Sequence, residues 1–559
     1  MIPLLLLACL AEPQAPPALW IDGTPLIPGL LEIDRTHDPA FPPSGRLTGR
    51  SAPEVGTQAN FWSIDYSSSP YGEFYLTSAT CRAVGERTYI FVEDAVWDVH
   101  YDQEAVEAFA EALEDATPSG PQGIVQRDTG VFGPVPDAID GDPKVYFLVQ
   151  DIRDGFDPGQ GGAFIAGFFS PYNQFTDQEA YLYYGGHSNE VEMLYIDCHP
   201  GNAADAAYTA SHELVHLIQW GIEPFSGEEL WVIENQAQSG TWVCGYPAYQ
   251  VETFLEVGGI TPIKWTNLDP MTVEYVAGYG SGFLFFSWLA EHCGGEEFLH
   301  HSLRSVETGI AGVEEAIGAA TGTQPDMAGL LEDWMLACWI DDASWGDGLY
   351  GWESFRIADY DTVSPGNRPG LDYTGEIESV PYADTDRSMA SYQGRYYRLG
   401  GGLEGSFRAA ADGLGDLSAH LFAPGGADPA LEELGTGAAN DVALALPAEG
   451  DVLLLCRSFA GLLLDVSAGS VAGSADDFAV FPQPCTGTLY LQFLSSGAPA
   501  TLAVFTVDGG LAEVVAFPAV PGGEATLGYD GASGLASGVY LYRFTQGGRT
   551  ETGSFAVVR

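Results

Sequence analysis

Between Tyr89 and Ile340 the apolar residues change period in a definite order. The run Tyr89-Ile90-Phe91-Val92 is β-branched and aromatic, and residues 144–149 and 193–196 repeat that texture between Asp and Gly, so all three predict strands. Over residues 102–117 the spacing follows a helix face instead, with Val106, Phe109 and Leu113 on one side. Helical spacing returns around residues 209–220, 282–291, 313–320 and 327–340. Strands ahead of a helical second half predict an α+β domain over residues 58–345. After Trp345 the helical period fades. Short apolar runs at 443–446, 452–455 and 489–493, broken by Gly, Pro and Asp, predict a β-sandwich module over 380–500, and the pattern repeats over 501–559. The fold class expected is therefore multidomain, α+β followed by all-β sandwich domains.

The N-terminal region predicts no part of that core. Residues 1–17 hold an apolar stretch and then small residues, the order of an export signal, although the basic start is missing. Leu6-Leu7-Ala8-Cys9 also resembles a lipoprotein box, so lipid anchoring at Cys9 stands as the alternative to simple secretion. Residues 18–57 are proline-rich and without clear period, and predict a leader or short propeptide. No later stretch reaches about 18 uninterrupted apolar residues, so no transmembrane span is expected. Cys456 and Cys485 flank adjacent strand-like runs and are the first candidates for a disulfide.

Composition narrows the function classes. Of the 559 residues, 46% are hydrophobic, enough for a sizeable core, while 77 Asp and Glu against 20 Lys and Arg leave a formal net charge of −57. A surface that negative repels phosphate backbones, which argues against nucleic-acid partners.

One segment carries recognisable chemistry. In Ser211-His212-Glu213-Leu214-Val215-His216 the two histidines are four apart, on one helix face, and can aim both imidazoles at one ion. Glu213, one step round, reaches water on that ion without ligating it. This is the H-E-x-x-H arrangement of zinc metalloproteases, in which zinc acidifies a water and the Glu accepts its proton. A catalytic zinc needs a third protein ligand. Glu234, within Trp231-Val232-Ile233-Glu234-Asn235, is the leading candidate on a second helix, with Glu228 and Glu229 competing from a loop. No H-x-x-G-x-x-H continuation supplies a third histidine.

With Ser188-Asn189-Glu190, residues 193–197, the His212–His216 motif, Trp231-Val232-Ile233-Glu234 and the Tyr279–Glu291 segment, residues of about 60–340 resemble hyicolysin-type gluzincin peptidases, secreted bacterial zinc endopeptidases. The resemblance implies a zincin-like fold, zinc held by His212, His216 and Glu234, Glu213 as general base, and protein or peptide substrates. The order Ile233-Glu234-Asn235 departs from the Asn-Glu-Gly common in gluzincins. Tyr279, in Tyr-x-x-Gly order, resembles the oxyanion-stabilising tyrosine of related aminopeptidases, and Tyr275 shares the spacing. Asp137, Asp140, Asp142, Asp151 and Asp154 form an acidic stretch that could bind Ca2+ or simply face solvent, and the EF-hand order is not met. His199, His292, His300 and His301 have no ligand spacing.

The last 60 or so residues, through Tyr540-Leu541-Tyr542-Arg543 and residues 553–559, resemble the immunoglobulin-like sorting domain of type IX secretion cargo, which implies contact with secretion machinery. The expectation is a secreted or cell-surface zinc endopeptidase. The alternative is a surface adhesion protein on a degenerate protease scaffold, against which an intact Glu213 speaks.

Overall fold

The computed structural model describes residues 18–33, residues 52–360 apart from 68–71, 158–161, 226, 258–260 and 271, and most of 374–559. The export signal at 1–17 with Cys9, and residues 34–51 of the expected leader, lie outside the described residues. The chain divides into two units, Met1–Leu371 and Asp372–Arg559.

In the first unit seven strands form one sheet: β1 (Ala18–Asp22), β2 (Gln58–Asp65), β3 (Glu73–Val84), β4 (Thr88–Glu93), β5 (Val145–Gln150), β6 (Gly162–Phe169) and β7 (Met193–Asp197), in the order β1-β6-β7-β5-β4-β3-β2. β5 is buried along its whole length and runs parallel to both neighbours, β4 and β7. An unbroken apolar run suits a strand covered on both faces. The edge strand β1 departs from the sequence expectation. Part of the proline-rich leader pairs in parallel with β6, as Trp20 with Phe164 and Ile21 with Ile165.

The helices are α1 (Gln103–Glu114), α2 (Ile124–Val131), the single turn α3 (Asp177–Glu179), α4 (Ala203–Ile222), α5 (Leu230–Cys244), α6 (Gln250–Val257), α7 (Val273–His292), α8 (Glu296–Ser302), α9 (Gly309–Thr321) and α10 (Met327–Ile340). α4 starts earlier than its apolar period suggests because Asn202 caps it: its side chain accepts from the Ala204 amide at 2.9 Å while Asp205 reaches back to the Asn202 amide at 3.0 Å. α7 is likewise longer than expected. Glycines hide its period, yet each admits a neighbour where a Cβ would collide: the Trp265 ring at Gly278, the Gln250 carbonyl at Gly280 and the Asn235 side chain at Gly282.

Two close approaches set α4 in place. A Cβ on Gly167 of β6 would come within 2.4 Å of Thr209, and one on Gly240 of α5 within 2.4 Å of the Ser211 carbonyl. Glycine thus lets α4 lie tight against the sheet on one side and α5 on the other.

The second unit is built of β-strands, with one core running from Ile377 to Ala468 and another from Cys485 to Val557. Strands Phe478–Phe481 and Leu489–Ser495 join Gly523–Tyr529 in one sheet, so the second core draws on residues before position 500. The Cys485 thiol donates to the Gly487 carbonyl at 3.1 Å, and the side chain of Cys456, its expected disulfide partner, lies outside the described residues. Among the described residues no helix is long and apolar enough to cross a membrane.

The acidic stretch is dispersed over turns. Asp154 accepts from the Phe156 and Ile165 amides at 2.8 and 2.7 Å, Asp142 from the Tyr89 hydroxyl at 2.8 Å, and Asp140 from the Asp142 amide at 2.9 Å. These carboxylates serve as acceptors within and beside the turns. Beside Asp140 stands Glu192, 1% exposed, whose carboxyl burial pushes up to about 9, with the charges of Asp140 and Asp137 adding to the rise.

Two predictions follow from this packing. Gly240→Ala should force α4 and α5 apart, costing about 1–3 kcal/mol in urea unfolding, and should also lower metal affinity in competition with a chelator. Unchanged values for both would mean the crossing tolerates a methyl group. For Glu192, the folded chain keeps a proton that the unfolded chain releases above its ordinary value of 4.5. The native state therefore binds more protons, and stability falls as pH rises from about 4.5 towards about 9. Glu192→Gln should flatten that slope and stabilise by on the order of 1–3 kcal/mol at alkaline pH. Parallel pH–stability curves for the two proteins would refute it.

Candidate metal centre

α4 presents His212 and His216 one turn apart, and their Nε2 atoms converge to 3.2 Å. α5 crosses beneath and delivers Glu234. Its Oε2 lies 3.6 Å from Nε2 of His212 and its Oε1 3.6 Å from Nε2 of His216. A fourth group arrives from the sheet edge: Asp22 at the end of β1, with Oδ2 3.1 Å from His216 Nε2 and 3.6 Å from His212 Nε2. One donor atom from each of these four residues lies within 4.8 Å of every other, and all four are buried.

Tautomer and charge both suit a cation. Gln219 donates through Nε2 to the Ile233 carbonyl at 3.0 Å and to Gln236 Oε1 at 2.7 Å, so its Oε1 faces His216 Nδ1 as an acceptor at 2.8 Å. Nδ1 is thereby held as the donor to Gln219, which turns Nε2 towards the cluster as the atom available to an ion. Glu234 is 0% exposed, and neither of its carboxylate oxygens makes a hydrogen bond of ordinary geometry, the Tyr279 hydroxyl being the donor that comes near. A buried carboxylate without such bonds is strongly destabilising unless a cation neutralises it. Two imidazole nitrogens and carboxylate oxygens form the donor set that suits zinc. The residues present fit the metal.

The electrostatics of the cluster point the same way. Burial, then the charge of Asp22, raises the carboxyls of Glu213 and Glu234 well above the usual range. Burial would raise Asp22 too, but hydrogen bonds and charge from His212 and His216 outweigh it and hold the group well below that range. Three acidic side chains thus compete for two imidazoles.

Glu213 lies beside the pair of histidines, 1% exposed, with Thr24 Oγ1 donating to its Oε2 at 3.3 Å. Glu228 and Glu229 are committed elsewhere. Glu228 accepts from the Gly309 amide at 2.7 Å, and Glu229 from Trp231 Nε1 at 2.7 Å. Asn235 faces away from the centre, donating to the Pro262 carbonyl at 3.0 Å and accepting from Trp265 Nε1 at 3.1 Å. It ties α5 to the loop before α7, which accounts for a side chain larger than glycine at that position. Tyr279 lies close by, its ring 6.1 Å from that of His212 and packed on Trp265 at 4.5 Å. Tyr275 is buried behind it, and neither hydroxyl makes a hydrogen bond of ordinary geometry.

Of the remaining histidines, His292 meets the Gly351 carbonyl and His300 the Val131 carbonyl, each at 3.0 Å. His199 differs from expectation: it gathers with His100 and Asp151 at the surface, its ring 4.2 Å from that of His100. Asp22 and Gln219 are the residues that sequence reasoning missed. Gln219, three positions after His216 on the same helix, could have been found from that spacing. Asp22 stands 190 residues before His212, and only the pairing of β1 with β6 brings it in.

No protein-family model matches the chain. Over 238 residues, 39% of its length, the chain is 23% identical to the neutral metalloprotease ShpI of Staphylococcus hyicus, and it spans about half the length of that protein, 50%. Among solved structures, a β-glucuronidase of Parabacteroides merdae overlaps 30% of this chain and 27% of its own at 9% identity, with a TM-score of 0.14. One from Bacteroides uniformis overlaps 30% and 26% at 11% identity, again with a TM-score of 0.14. Likeness so slight says nothing about the fold. The chain is a distant relative of a neutral metalloprotease, and it carries a buried His-His-Glu group able to hold a metal ion.

Proposed function

We propose that this chain is a secreted or cell-surface zinc-dependent endopeptidase, its catalytic region over about residues 58–345 and β-sandwich modules behind it. The observation that carries this is the buried cluster of two imidazoles with Glu234, a fully buried carboxylate whose oxygens make no hydrogen bond of ordinary geometry and which is aimed at the helix that also bears Glu213. The distant kinship with a neutral metalloprotease supports protein substrates. Secretion rests on the sequence of residues 1–17, and a role of the last 60 or so residues in sorting on their sequence resemblance.

His212, His216 and Glu234 would hold the ion, which when bound supplies a Lewis acid that polarises the scissile carbonyl and acidifies water. Glu213 takes the proton from the attacking water and returns it to the leaving amine. Burial raises the Glu213 carboxyl above its ordinary value, so it holds a captured proton more readily than a solvated carboxylate does. Tyr279, buried beside His212 with a hydroxyl not committed to a strong bond, would donate to the oxyanion. Gln219 orients His216 throughout.

Metal analysis and casein hydrolysis test this together. Glu213→Gln should retain zinc and lose about 10²–10⁴-fold in turnover, whereas His212→Ala and His216→Ala should lose the metal. Substantial turnover by Glu213→Gln would end the mechanism. Glu234→Gln should release zinc to a weaker chelator than wild type does, because a neutral amide is the poorer ligand. Glu229→Gln should hold zinc as wild type does. The reverse pattern for these two variants would reassign the third ligand.

A further inference from the structure

Asp22 is one acidic group more than a hydrolytic centre needs. Catalytic zinc sites leave a position open to water, and sites closed by four protein ligands are structural. Here the fourth side chain comes from an N-terminal strand, not from the helices that hold the other three. The local structure is shaped around delivering it. The β1–β6 register slips between Ile21 and Asp22, so that Ile21 pairs with Ile165 but Asp22 with Gly167. That irregularity turns the Asp22 carboxylate into the cluster, where Oδ2 meets the imidazoles and Oδ1 accepts from the Thr24 amide at 2.8 Å. The next residue fits closely: a Cβ on Gly23 would come within 2.8 Å of Ile165 and 3.0 Å of the Tyr66 hydroxyl, which instead donates to the Gly23 carbonyl at 3.1 Å. Thr24 then accepts from the Phe169 amide at 2.9 Å and donates to Glu213. Upstream, Trp20 is wedged between Tyr208 and Tyr249, its ring 5.2 and 5.1 Å from theirs.

We infer that Asp22 is a fourth metal ligand, and that residues 18–33 plug the centre and hold the full chain below its full turnover. The inference rests on the zinc-peptidase reading. Three consequences of the geometry combine. Asp22 occupies the donor position that an attacking water requires. Thr24 engages the general base. β1 covers the β6 edge, to which an extended peptide would add by strand pairing. Because the plug is tethered, a substrate must displace a group present at high effective concentration. Removing β1 would uncover all three features at once.

The test uses the full chain, loaded with zinc, as wild type, Asp22→Ala and Trp20→Ala. Trp20→Ala loosens β1 without touching the cluster, and serves where Asp22→Ala fails to fold. The probe is acetohydroxamate, a small zinc chelator, with binding measured by calorimetry. The visible spectrum of cobalt-substituted protein and casein turnover are recorded beside it. All three proteins should hold one zinc. Asp22→Ala should bind the hydroxamate about 10²-fold more tightly than wild type, with an altered cobalt spectrum and raised turnover, and Trp20→Ala should shift the same way by less. Equal hydroxamate affinity in zinc-loaded wild type and variants would overturn the plug while leaving the peptidase reading intact. Loss of zinc from a folded Asp22→Ala would also overturn it, by making Asp22 an obligatory ligand. Wild type that takes up no zinc would instead remove the peptidase reading itself.

Discussion

Three carboxylates and two imidazoles share a buried space, and without a cation their charges do not balance. Asp22, Glu213 and Glu234 are each less than 10% exposed, and Glu234 makes no hydrogen bond of ordinary geometry. Proton uptake is one escape, and the raised pKa of Glu213 and Glu234 shows the fold leaning that way in the absence of an ion. A divalent cation is the other escape, and it would compensate the carboxylates that face the two imidazoles. The surrounding structure follows from this constraint. The centre works only if α4, α5 and the β6 edge approach more closely than ordinary side chains permit, and glycines stand at the crossings: Gly167 under Thr209, Gly240 under Ser211 and Gly23 against Tyr66.

A layer of polar contacts keeps those elements from drifting. Gln219 joins His216 to the Ile233 carbonyl and to Gln236, and Gln236 continues to the Ser302 carbonyl at 2.8 Å. Asn235, next to Glu234, binds the Pro262 carbonyl and Trp265 and fills the notch at Gly282. His216 and Glu234 thus each have a neighbour in sequence that anchors its helix from the other side. A misplacement of about 1 Å at such a centre is expensive for catalysis, which is reason enough for buried amides in a core that could otherwise be apolar.

What could be read from sequence was what is local. α10 begins and ends where its apolar period does, and α1 needed only Asp102 as its cap. The His212–His216 pair is a four-residue pattern on one helix, so its convergence was visible before any fold was known. Glu234 was accessible because its flanking Trp231, Val232 and Ile233 mark a packed helix. α7 was under-read, because a glycine-rich helix buried on all sides has no polar face to give it a period. β1 was missed for a related reason. A strand of five residues in a proline-rich stretch carries too little pattern to stand out, and its pairing with β6 is a contact between distant parts of the chain.

The acidic surface bears on the centre in a way that neither motif nor fold reveals. A formal charge of −57 concentrates cations around the chain and repels anionic partners. The residues nearest the cluster follow a different rule. Trp20, Tyr208, Tyr249 and Tyr279 line the approach with rings rather than charges, and desolvation there strengthens each electrostatic contact inside. With Trp20 in place that approach is filled by the chain's own N-terminal strand. With it withdrawn, the two tyrosines would present an apolar shelf beside the β6 edge. On the proposed peptidase reading, a substrate would meet the shelf and the strand edge before it reached the buried charges.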